Sequence, residues 1–346
     1  MISLNPNTKT LICIGSGGVG KTTLAASIAV GLAQAGKKVL VLTIDPSMRL
    51  AQTLGIQTDG ELYKVTLPVD AKGELWSCVI NHRKTFDWFI QSAAQNTDVS
   101  SLQNNRLYQQ LSGRLSGSQE FTSLICLYSH VNSQQYDLVI LDTPPSQHTW
   151  NFLKAPEKIS ALFNEGVAGW FRQSAGENIS LFKKVLNLGT TQVLKALETL
   201  TGSQFMKELS AFFQAIQKWQ GPLESYVMNC HRILVSEQTE FLLVTALDSS
   251  RIIEAQKLSR EISKQGYRLS TLVINRVPAW GNVKINLPPS RVADLIEYSK
   301  NLEIDLHSRL SHFKIGLNIY KCFELRQNSE DVQSLQKNFN SLRKAL

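Results

Sequence analysis

Apolar residues along this chain follow two rhythms. In the first, short and nearly unbroken runs rich in Val, Ile and Leu occupy residues 11–14, 39–44, 75–80, 137–142, 240–245 and 269–275. Runs of this length without polar alternation predict strands buried on both faces. In the second, apolar positions recur at helical spacing, as at Leu24, Ala25, Ile28, Ala29 and Leu32. Strand and helix alternate, which predicts an α/β fold: a doubly wound, mostly parallel sheet covered on both faces. Ligands in such sheets bind at the carboxyl ends of strands, so the loops after Ile14, Ile44, Leu141, Val244 and Ile274 are where chemistry is expected.

The rhythm changes further on. Between residues 150 and 235 no strand pattern occurs, and two sets of apolar positions, Ile159 to Phe171 and Phe205 to Trp219, fall at helical spacing. This predicts a helical insertion at 150–235, carried within a single domain spanning 1–346. Its aromatic stripes suit either a core or an exposed apolar groove. Residues 91–118 are polar and rich in Ser, Asn and Gln, and read as a mobile segment over or beside the site. Near the end, Val332, Leu335, Phe339, Leu342 and Leu346 share a face with Lys337, Arg343 and Lys344 around it. Two readings stay open there: a helix on a membrane surface, or one packed back on the sheet, toward which Asp331 and other polar residues dilute the pattern.

The first strand runs directly into Gly15, Ser16, Gly17, Gly18, Val19, Gly20, Lys21, Thr22 and Thr23. The frame G-x-x-x-x-G-K-T between a strand and a helix is a phosphate-binding loop. Glycines let several backbone N–H groups point at phosphate oxygens, Lys21 adds charge near the β- and γ-phosphates, and the Thr22 hydroxyl can ligate Mg²⁺. Gly15, Gly17 and Gly20 also satisfy the weaker dinucleotide pattern G-x-G-x-x-G, with Asp45 as the ribose acid. The pair Lys21-Thr22 decides for a nucleoside triphosphate, because a dinucleotide turn needs neither a lysine nor a metal ligand there.

Two strands end in carboxylates, at Asp45 and Asp142. Phosphoryl transfer to water is mostly positioning and charge neutralisation. Thr22 and Asp142 are the natural Mg²⁺ shell, the latter through water, and Asp45 is left to orient the attacking water beside Lys21. Pro46, Pro144 and Pro145 force non-helical turns after these strands, and such loops can respond to loss of the γ-phosphate.

Bulk properties narrow the class. With 346 residues and 43% hydrophobic content the chain can bury a large core, and no apolar run approaches the ~18–20 residues of a membrane span. The N-terminus lacks a charged-then-apolar leader pattern, so a cytoplasmic protein is expected, at most peripheral at the inner membrane. Five cysteines are scattered without C-x-x-C, which suits reduced thiols and no structural zinc. The net charge of +8 is spread along the chain without a basic cluster interleaved with aromatics, so a nucleic-acid partner is not expected.

The glycine loop, the strand ending in Asp45-Pro46, and the segment Asp142-Thr143-Pro144-Pro145-Ser146-Gln147-His148 together resemble the ArsA-type ATPases, a deviant P-loop family. It includes arsenite-pump ATPases and cytosolic ATPases that deliver tail-anchored membrane proteins. The resemblance covers nearly the whole chain and is nearest to a bacterial anion-transporting-ATPase-like branch, with its turn at Phe152-Leu153-Lys154-Ala155-Pro156. It implies ATP and Mg²⁺ as ligands and a nucleotide-dependent dimer. It also implies Asp45 as the water-orienting residue of switch I, 142–148 as switch II, and Asn275 as a reader of the adenine base. His148 is left between a phosphate or partner contact and a helix-start hydrogen bond. In function the resemblance implies delivery or chaperoning of a hydrophobic client or membrane-associated partner. The alternatives are the energising subunit of an anion or metalloid transporter, or a partition-type positional regulator. One departure stands out. The family's loop begins K-G-G and its lysine reaches across the dimer, whereas this chain has Ser16. Turnover by the chain alone is then expected to be slow, or a paralogous chain completes the dimer.

Overall fold

The structure, a computed structural model, describes residues 2–44, 49–93, 119–144, 152–154, 225–277, 316–323 and 331–344, with single residues at 109, 221, 294, 297, 301, 308, 310 and 313. Strand β1 (Thr10–Gly15) is buried along its whole length because parallel neighbours flank it on both sides. The other strands are β2 (Lys38–Thr43), β3 (Tyr63–Val65), β4 (Glu74–Val79), β5 (Leu138–Asp142), β6 (Thr239–Ala246), β7 (Leu269–Val277), β8 (Asn318–Phe323) and β9 (Arg343–Lys344). Among the described residues they form one sheet in the order β3-β4-β2-β5-β1-β6-β7-β8-β9. The pairing is parallel except at the two margins, where β3 and β9 run antiparallel to their neighbours. This is the α/β, mostly parallel sheet that the alternating pattern predicts. Each of the six predicted runs lies on a strand, with ends differing by one or two residues.

The chain's path fixes where a ligand can enter. After β1 it moves to β2 and outward, returns through β5, then crosses to β6 on the other side of β1. The order reverses beside β1, so the crevice of the sheet opens at the carboxyl end of that strand.

The described helices are α1 (Lys21–Gln34), α2 (Arg49–Leu54), α3 (His82–Ala93), α4 (Gln119–Asn132), α5 (Ser249–Lys264) and α6 (Val332–Ser341), with a further helical stretch at 225–235. Helix α1 is built from Ala, Val, Leu, Ile and Gly and is buried on nearly every side. A helix apolar all round must be covered all round. Its cluster takes in Val41, Ile140 and Val244 from the sheet, and Leu335, Phe339 and Leu342 from the C-terminal segment. The C-terminal apolar face therefore packs back over α1; Leu346 lies outside the described residues.

The chain divides into two units. The first comprises Met1–Ile80, Leu127–Asn151 and Ile233–Leu346 and holds the whole sheet. The second comprises Asn81–Cys126 and Phe152–Arg232. Its described part is organised by aromatic rings: Phe89 meets Phe121 edge-on at 5.3 Å and Tyr226 at 5.1 Å between centroids, an arrangement favoured by ring quadrupoles. The predicted helices at 159–171 and 205–219 lie outside the described residues, as does nearly all of the polar segment 91–118. No helix among the described residues is long and apolar enough to cross a membrane.

Candidate functional site

The loop from Ser16 to Gly20 leaves β1 at the sheet's crevice and enters α1 at Lys21. Gly20 stands at the helix start with φ 87, in the left-handed region that glycine adopts without strain. It has a second requirement: a Cβ there would collide with the side-chain amide of Asn275. Glycine thus serves both backbone geometry and a close approach.

Lys21 is only 7% exposed, and its Nζ donates to the Ser16 carbonyl at 2.8 Å. The ammonium is therefore held over the loop itself, where a phosphate would lie. Ser16 is 2% exposed and faces inward.

Asp142 ends β5 with no exposed surface. Its Oδ2 accepts from Thr22 Oγ1 at 2.7 Å and from Thr43 Oγ1 at 3.1 Å. Because β5 lies between β1 and β2, its carboxylate meets one hydroxyl from the start of α1 and another from the end of β2. Next to it, Thr143 ties the β5 turn to β1 by donating from Oγ1 to the Cys13 carbonyl at 2.7 Å. Cys13 sits in the floor. Burial pushes its thiol far above the ordinary range; the Asp142 charge adds to this and Lys21 opposes it.

Asn275 comes from the far side of β1. Its Nδ2 donates to the Val19 carbonyl at 2.8 Å, and the residue is 8% exposed. The pairing of β7 with β8 shifts register between Ile274 and Val277, and Arg276 takes φ 58. Such a bulge re-aims the residues beside it, here placing Asn275 against the phosphate-binding loop.

Of the residues singled out from sequence, the structure brings together the loop, Lys21, Thr22, Asp142 and Asn275. Asp45 and His148 lie outside the described residues; β2 and the buried Ile44 lead up to Asp45. Thr43 was not singled out, although a hydroxyl two residues before Asp45, at the end of an apolar strand, is a usable signal. The donor set fits the groups the sequence implies. A hydroxyl and a carboxylate offer the hard oxygens that Mg²⁺ prefers, and a glycine-rich turn at a helix N-terminus suits phosphate. The five cysteines are free and buried, and among the described residues no three His, Cys, Asp or Glu side chains converge as metal ligands.

Sheet order, loop and the Thr22–Asp142 pair define a P-loop nucleotide hydrolase. Comparison with known proteins narrows this. A family model described as anion-transporting ATPase matches residues 8–282. The chain belongs to this ArsA-type ATPase family and is an ATPase. Similar proteins include the ATPase GET3 of Candida glabrata, 24% identical over 302 residues that cover 80% of this chain and 77% of that protein. The ATPase get3 of Aspergillus terreus is 26% identical over 276 residues, 78% and 74% of the two chains. The ATPase asna-1 of Caenorhabditis elegans is 24% identical over 276 residues, 76% and 72%.

Proposed function

We propose that this chain is a Mg²⁺-dependent ATPase that couples its nucleotide state to delivery of a hydrophobic client or membrane-associated partner in the cytoplasm, working as a nucleotide-dependent dimer. The observation that supports the hydrolytic part best is the 2.7 Å contact between Thr22 Oγ1 and Asp142 Oδ2 at the carboxyl end of β5. These two residues would hold Mg²⁺, Asp142 through water. The ion supplies neutralisation of phosphate charge when bound. Lys21 exchanges the Ser16 carbonyl for a phosphate oxygen, and the loop N–H groups from Gly15 to Thr23 cradle the rest of the chain of phosphates. Asp45 orients the attacking water, while Asn275 holds the loop through Val19 and contributes to the adenine pocket. Ser16 carries no charge and is buried, so it cannot supply a cation to a partner's phosphates. Slow turnover alone, or completion by a paralogous chain, follows from the weight such cations carry in phosphoryl transfer.

The delivery reading draws on the relatives rather than on the site. A transporter-subunit reading is favoured only by the family's description; thiolate capture of a metalloid is opposed by burial, which pushes the Cys13, Cys230 and Cys322 thiols up. A crosslinking assay separates the two. Purified chain is incubated with a peptide ending in an apolar segment of about 20 residues, with ATP and Mg²⁺ or with ADP. Nucleotide-dependent capture supports delivery. No capture in either state, together with hydrolysis stimulated by antimonite, would overturn it in favour of transport.

A further inference from the structure

The C-terminal helix α6 lies directly on the phosphate-binding helix. Its Phe339 ring occupies the place where a Cβ of Gly31 would stand, so α1 is indented to receive it. Within this apolar contact sits a buried amide. Asn338 is 7% exposed; its Nδ2 donates to Ser27 Oγ at 3.2 Å, and its Oδ1 accepts from Cys322 Sγ on β8 at 3.1 Å. Ser27, with no exposed surface, in turn donates from Oγ to the Thr23 carbonyl at 2.7 Å. Thr23 adjoins Thr22, whose hydroxyl rests on Asp142.

Two physical points give this chain of bonds a consequence. The Phe339 ring seated at Gly31 fits the two helices by shape, and a buried amide with fixed partners adds a directional lock, because any slip leaves polar groups unpaired. In addition, the N-cap of α1 is Gly20, which provides no side-chain cap, so the first turn lacks the usual local anchor. We infer that Asn338 is a positioning residue of the nucleotide site: through Ser27 and Thr23 it fixes α1 along its axis, and with it Lys21 and Thr22. Cys322 completes the amide's pairing from the sheet, so β8, α6 and α1 share one register. The inference rests on Lys21 and Thr22 being the phosphate and Mg²⁺ contacts.

The test uses the full chain. Asn338→Leu keeps the heavy-atom count and the branching but removes the tether, and Ser27→Ala removes the next link. ATP dissociation constants with Mg²⁺ are measured with a fluorescent ATP analogue for both single variants and the double, alongside thermal midpoints. Asn338→Leu is expected to weaken binding about 10-fold, less than the roughly 100-fold by which a misplacement of about 1 Å can slow a reaction. The double variant should be no weaker than either single one, because both cut the same path. Leu335→Ala, on the same helix without the tether, should lower the midpoint and leave the dissociation constant of folded protein unchanged. Wild-type affinity in a folded Asn338→Leu, or additive losses in the double, would overturn the inference. If Asn338→Leu does not fold, Asn338→Ser, too short to bridge Cys322 and Ser27, takes its place. Hydrogen exchange at amides 24–27 separates this inference from the ATP assignment. Failure of the wild type to bind ATP would remove that assignment. Faster exchange in the Asn338 variant supports the tether with or without nucleotide, and unchanged exchange overturns it.

Discussion

At the scale of single residues, Asp142 is the junction of the site. A carboxylate with no exposed surface is tolerated because hydroxyls from Thr22 and Thr43 donate to it. In the proposed site Asp142 would act on Mg²⁺ through water, and outer contacts of this kind are worth about 10–100-fold in metal affinity. Asp142→Asn should accordingly raise the half-saturating Mg²⁺ for hydrolysis by roughly that factor, read from a Mg²⁺ titration at fixed ATP. An unchanged titration would remove Asp142 from the Mg²⁺ shell. Ser16 illustrates the opposite situation. It is buried and uncharged, and its carbonyl accepts from Lys21 Nζ at 2.8 Å.

At the scale of elements, α6 begins at a capping box. Asp331 accepts from the Ser334 backbone N–H, while the Ser334 hydroxyl bonds back to the Asp331 backbone. The Ser334 backbone bond, then its side-chain bond, hold the Asp331 carboxyl below its ordinary value of 3.8. A lowered carboxylate favours the folded state above its unfolded value, and this contribution is lost as pH falls below that range. Asp331→Asn keeps a capping side chain without the charge, so the thermal midpoint should fall less steeply below pH 4 than in the wild type. Asp331→Ala should lower the midpoint at pH 7 as well. Equal acid slopes in wild type and Asp331→Asn would contradict the charged cap. The elements also show what was legible in the sequence. The six central strands could be read because burial on both faces writes itself as unbroken apolar runs. Strands β3, β8 and β9 could not: β3 and β9 are only three and two residues long, and β8, partly exposed near the sheet margin, mixes polar and apolar residues without a clear period. The periodic face of α6 was visible, but period alone cannot name what covers it; the answer lay in Gly31, on a different helix. Likewise the loop, Lys21, Thr22 and Asp142 carry local signals, whereas Asn275 meets Val19 across 256 positions and Asn338 meets Ser27 across 311. Contacts of that kind depend on the sheet order, which no single window of sequence contains.

At the scale of the whole molecule, the sheet's reversal beside β1 gathers the loop, Asp142 and Asn275 at one end of the strands, and α6 packs on the helix that begins with Lys21 and Thr22. The central claim is that this constellation hydrolyses ATP with Asp45 orienting the water and Lys21 holding the phosphates. It is tested most directly by single-turnover phosphate release from ATP, with and without Mg²⁺. The assay compares wild type, Asp45→Asn and Lys21→Ala, with ATP binding measured in parallel. The account predicts Mg²⁺-dependent release by the wild type. Asp45→Asn should bind ATP as the wild type does yet release phosphate on the order of 100-fold more slowly, and Lys21→Ala should lose both binding and release. Release by Asp45→Asn at the wild-type rate, or by Lys21→Ala with undiminished binding, would contradict it.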